Sequence, residues 1–140
     1  MYRTIKSVII LGAFCSFAFS AVAQSNKTMI KPWFQALSPV DREVISQLLA
    51  EDALIELKDY DVTQNKEEFV DALDAWEDAI ENGTIAYKIE EDISNDDLIT
   101  TKVCYKFPSN ELMTIETFEF EDGLIKKSVQ ETVSEDCSDF

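Results

Sequence analysis

The chain has 140 residues, with 28 acidic against 12 basic side chains, no histidine and 46% apolar residues. That length holds one domain and leaves no room for a second sizeable core. A net charge of −16 excludes an electrostatic nucleic-acid binder, and the lack of histidine removes the Ser/His/Asp and Cys/His triads and the HExxH zinc site.

Residues 1–23 read as a signal peptide. Arg3 and Lys6 precede a 16-residue apolar run from Val8 that ends in Ala21-Val22-Ala23, the small-x-small pattern of a signal peptidase site. The run falls short of the ~20 residues of a membrane-spanning helix, and Ser16 and Ser20 interrupt it. Cleavage after Ala23 is expected, leaving a periplasmic or secreted chain that starts at Gln24 without a membrane anchor. Removing Arg3 and Lys6 leaves 10 basic and 28 acidic groups, a net charge of −18. Cys15 departs with the leader, so Cys104 and Cys137 enter an oxidising space. One internal disulfide is the simplest account; two free thiols or pairing between chains are the alternatives. The bridge would close a 34-residue loop and add about 4 kcal/mol by chain entropy.

After an N-terminal segment, 24–37, the main domain is expected over 38–133, with a polar tail at 134–140. Ser38-Pro39 suits a helix start, and Val40, Val44, Ile45, Leu48 and Leu49 recur at helical spacing to about Glu51. Residues 53–58 (ALIELK) read as a short strand. Asn65 and Glu68 form a capping box, behind which Phe69, Leu73, Trp76 and Ile80 fall on one stripe until Asn82-Gly83. The period then becomes two: Ile85, Tyr87 and Ile89; a turn at 94–97; Ile99 to Phe107; Leu112 to Phe120; and, past Asp122-Gly123, Leu124 to Val133. Helices followed by hairpin-linked strands predict an α+β fold, with helices on one face of a curved antiparallel sheet.

Residues 44–57 (VISQLLAEDALIEL) resemble the helix-then-strand entry of the NTF2-like superfamily, in its SnoaL-like and ketosteroid-isomerase-like branches. Asn65 to Trp76 (NKEEFVDALDAW) is similar to the following helix, and residues 114–126 (TIETFEFEDGLIK) to the final hairpin. The resemblance covers 38–133 and implies a cystatin-like cone, a curved sheet around a long helix with an apolar pocket, often dimeric through the sheet. The ketosteroid-isomerase-like proton-shuttling aspartate maps to Leu57, which moves no proton. The hydrogen-bond-donating acid maps to Glu116, and the nearest match to the first-helix tyrosine is Trp33. The long first helix is curtailed between Asn26 and Leu37. An isomerase mechanism of that kind is therefore disfavoured.

Glu116 shares a strand face with Leu112, Thr114, Phe118 and Phe120. Buried without a partner, its pKa would rise and it could donate a hydrogen bond or act as a general acid. The plainer alternatives are a solvated face or neutralisation by Lys126 or Lys127 across the hairpin. Phe118, Trp33, Tyr60, Trp76, Tyr87 and Tyr105 are candidates to line a small-molecule pocket of about 300 Å³ or more, against the plain reading of core packing. The acid clusters at Asp59-Tyr60-Asp61, Asp92 to Asp97 and Glu119 to Asp122 fit no calcium loop, so neither metal nor cofactor is expected. Asn26 and Asn82 head Asn-x-Thr sequons. The expected function is non-enzymatic binding of a small apolar molecule. An enzyme of isomerase, cyclase or hydratase type using Glu116, or a protein-interaction module, is the alternative; a homodimer fits any of these.

Overall fold

The computed structural model describes residues 25–90 and 95–140; the expected signal peptide, and Asp92 and Ser94 of the expected turn and acid cluster, lie outside the described residues. Helices α1 (Lys27–Ala36) and α2 (Arg42–Leu48) lead into β1 (Leu49–Leu57), a 3-10 turn (Lys58–Tyr60) and β2 (Val62–Asn65). Helix α3 (Lys66–Ile80) follows, then β3 (Thr84–Glu90), β4 (Leu98–Lys106), β5 (Glu111–Glu121) and β6 (Leu124–Ser134). The strands form one sheet in the order β2-β1-β6-β5-β4-β3. This is the expected α+β cone, with one difference: β1 runs parallel to β6, Leu57 lying opposite Gln130, while every other pair is antiparallel. Register shifts opposite Met113/Thr114 and Glu119/Phe120 mark bulges in β6, at Val133 and Lys126, and bulges bend a sheet.

Helix α3 is built as its sequence dictates. Asn65 Oδ1 accepts from Glu68 N at 3.0 Å, and Glu68 Oε2 accepts from Asn65 N at 2.9 Å. Leu73 and Ile80 are buried, and Phe69 and Trp76 pack partly buried against the same core. Beyond the last turn Asn82, at φ 61°, takes the left-handed conformation expected of Gly83. Gly83 is required for another reason: a Cβ there would come within 2.6 Å of the Lys106 carbonyl oxygen. The Asp122-Gly123 hairpin has positive φ at both residues, 52° and 77°.

Three expectations shift. The second helix does not start at Ser38-Pro39, because Asp41 caps it, its Oδ1 accepting from Val44 N at 3.0 Å. It also ends three residues before Glu51, since Leu49 already pairs with Ile125 and the strand expected at 53–58 begins there. β2 is additional. Its four residues show no period-two burial, and it is held by antiparallel pairing to β1 rather than by an apolar face.

Cys104 and Cys137 are joined, with sulfurs 2.03 Å and Cα atoms 5.8 Å apart. The tail has further anchors: Glu111 Oε2 accepts from Cys137 N at 3.1 Å, and Lys88 Nζ sits 4.4 Å from the Phe140 ring centre. Strand alternation puts Lys88 and Cys104 on the side opposite Tyr87 and Tyr105, so the tail lies across the outer face of β3 and β4. The helices occupy the concave side, where α1 buries Ile30, Trp33 and Phe34 against Phe118 of β5.

Candidate functional site

The concave side holds a cavity of about 250 Å³, a little smaller than the sequence suggested, and Glu116 lines it. β1 contributes Ile55 and Leu57; α3 contributes Phe69, Ala72, Leu73 and Trp76; β4 and the residue after it contribute Tyr105 and Phe107. Leu112 and Glu116 come from β5 and Ser128 and Gln130 from β6, with Trp33 and Leu37 from the α1 side. Tyr60, 73% exposed, and Gln64 stand beside them. A hollow of about 540 Å³ beside Lys66 is larger but is a polar surface groove lined by Glu51, Glu67 and Asp71, with Lys66 already bonded to Glu51. Apolar walls converging on a few polar groups make the first the candidate site.

Glu116 is 3% exposed. Its Oε1 accepts from the Tyr105 hydroxyl at 2.5 Å and from Thr114 Oγ1 at 3.2 Å. Both bonds fall on one oxygen, so Oε2 has no hydrogen-bond partner among the described residues. Burial raises the carboxyl pKa to about 7, and the two donated hydrogen bonds hold it from rising further. Burial and the neighbouring carboxylate raise the Tyr105 phenol well above its ordinary range, so it stays protonated and keeps donating. Near neutrality Oε2 can therefore present either an O–H or a negative oxygen. Lys126 and Lys127 do not neutralise the group: Lys126 pairs with Asp52 and Glu121, and Lys127 with Glu56.

Of the aromatic residues singled out in the sequence, Trp33, Tyr60, Trp76 and Tyr105 line the cavity. Phe118 and Tyr87 do not. Phe118 is fully buried behind Trp33 and Phe34, with ring centres 5.8 and 6.1 Å away, and Tyr87 stacks on Phe34 at 4.5 Å. Their strand phase was legible; what covers them was not. The two tryptophans differ in polar satisfaction. Trp76 Nε1 donates to the Leu37 carbonyl at 2.9 Å, whereas Trp33 Nε1 is buried without a partner among the described residues. Ser128, Gln130 and Gln64 were missed, because polar residues in a half-buried strand carry no sequence mark of facing inward. Thr114 could have been found, sitting two residues before Glu116 on the same face.

The described acid clusters act as local acceptors. Asp59 accepts from Thr132 N and Oγ1, and Asp96 from Ser25 Oγ and Asn26 N. Among the described residues no three His, Cys, Asp or Glu side chains are grouped to hold a metal, and no helix is long and apolar enough to cross a membrane. The Asn26 sequon is engaged, its Nδ2 donating to the Asp96 carbonyl at 3.0 Å.

A bulged, unclosed sheet holding helices and a cavity on its concave side defines the NTF2-like fold. By sequence, no family model and no curated protein matches the chain. By structure, it is similar to IdmH of Streptomyces antibioticus, a proposed polyketide cyclase, at TM-score 0.66 and 16% identity over 79% of this chain and 93% of that one. It is also similar to a proposed ketosteroid isomerase of Kribbella flavida, at TM-score 0.64 and 15% identity over 79% and 78%. An LEH-like epoxide hydrolase of M. tuberculosis matches at TM-score 0.59 and 13% identity over 77% and 82%. Three chemistries on one fold leave the function to be argued from the site.

Proposed function

We propose that this protein binds a small, largely apolar ligand in the cavity and holds its polar atom at Glu116. The observation that carries the reading is the free Oε2 of a buried carboxyl in an apolar hollow. Binding rather than turnover is supported by the single carboxyl in the lining, the absence of histidine from the chain, and Leu57 in the wall where a proton-shuttling group would sit. Cyclohexanol, titrated into the protein and followed by NMR, should saturate and move the Leu57, Phe69 and Leu112 signals. Ala72→Trp, which fills the mouth from an exposed helical position, should abolish the effect. Absence of saturation in the parent protein overturns the proposal.

Catalysis with Glu116 as general acid is the second reading, favoured by its pKa of about 7. It calls for a ligand whose mass changes on incubation with the parent protein and not with Glu116→Gln. The proposal also places the protein in the periplasm or outside the cell, cleaved after Ala23, which the joined cysteines support. Native mass spectrometry of protein from its own host tests this: the chain should begin at Gln24, and the same spectrum reads any homodimer.

A further inference from the structure

Taking the cavity as a ligand site, as proposed above, we infer that its ligand class is a compact organic ammonium ion, a quaternary or protonated tertiary amine. Three observations converge. The lining carries six aromatic side chains, Trp33, Tyr60, Phe69, Trp76, Tyr105 and Phe107, and aromatic rings attract cations electrostatically, most strongly in desolvated sites. Among the described residues no Lys or Arg lines it, Glu116 is its one carboxyl, and the other titratable groups in the lining are Tyr60 and Tyr105, the latter a donor to Glu116.

Among the described residues Glu116 pairs with no Lys or Arg, and unlike the unpaired acids at the surface it is 3% exposed. Its free Oε2 is where a counter-charge is missing. An ammonium would supply that charge, and its alkyl groups would meet the apolar walls. An anion would meet the carboxylate with nothing to offset it. The net charge of −16 adds a long-range field that draws cations to the surface and repels anions.

The test compares choline with 3,3-dimethylbutan-1-ol, which has the same shape with carbon in place of the charged nitrogen. Calorimetric titrations are run at pH 6 and pH 8. Choline should bind at least tenfold more tightly than the alcohol at pH 8. Because a cation needs the ionised carboxylate, choline affinity should rise about tenfold from pH 6 to pH 8, following the ionised fraction of a group with pKa of about 7. Glu116→Gln, which keeps the shape and the aromatic walls, should narrow the gap between the two ligands and remove the pH dependence; Ala72→Trp should block both. If the alcohol binds as tightly as choline at pH 8, the ammonium assignment is overturned while the cavity remains a ligand site. If neither binds, both fall.

Discussion

The two ends of the concave face are treated differently. Around Phe118, α1 lays Trp33 and Phe34 against the sheet and covers the ring completely. Around Leu112 and Glu116, a few residues earlier on the same strand, α3 and the sheet stand apart and leave about 250 Å³. The filled end has packing partners of matching size and no charge. The hollow end has a carboxyl whose second oxygen no side chain among the described residues satisfies. Close packing is concentrated at one end, then, and open space beside a carboxyl at the other.

The largest expected effect tests the filled end. Phe118→Ala should cost about 3–5 kcal/mol in urea unfolding, the range for a phenylalanine removed from a close-packed core. Leu57→Ala, on a wall already facing empty space, should cost clearly less, at the low end of the leucine range, about 2 kcal/mol. Equal losses would break the distinction between the ends.

Next in size is the pH dependence that Glu116 imposes. The unfolded carboxyl loses its proton near 4.5 and the folded one near 7, so between those values the folded state holds more protons. Its contribution is fully present below pH 4.5 and disappears as pH rises through about 7. The loss amounts to about 3 kcal/mol by pH 8 or above. Glu116→Gln should flatten that fall when unfolding is compared at pH 5 and pH 8.5.

The two tryptophans give a smaller contrast. Trp76→Phe leaves the Leu37 carbonyl without its donor, while Trp33→Phe removes a buried N–H that has no partner. Trp76→Phe should be the more destabilising by about 1 kcal/mol. Smallest is Glu111→Gln at the start of β5. The hydrogen bond from Lys106, followed by that from Cys137 N, lowers the Glu111 pKa. Its contribution is present above the ordinary carboxylate range and lost on acidification, the opposite sign to Glu116. The substitution should have little effect at neutral pH and none in acid.

Much of this arrangement could be read in the sequence. The Asn65–Glu68 box, the Phe69–Ile80 stripe and the period-two strands after Gly83 are local signals set by backbone geometry, and each reappears in place. The face shared by Leu112, Thr114, Glu116 and Phe118 follows from strand alternation alone. What stayed hidden depends on distant chain segments. β2 exists because β1 offers an edge to pair with, and no pattern in Val62 to Asn65 announces it. Phe118 and Glu116 share a face, yet only the placement of α1 decides which is covered and which borders space. Lys126 and Lys127 stand on the neighbouring strand, but the register pairs Glu116 with Gln130, and both lysines reach acids on β1 instead.

The central claim is that Glu116 is a buried carboxyl at the wall of a cavity, and its own titration tests this most directly. The carboxyl carbon, labelled with carbon-13 and assigned by its absence in Glu116→Gln, should titrate with a midpoint of about 7. A midpoint at the ordinary value near 4.5 would mean that the group meets bulk water, and would contradict the account.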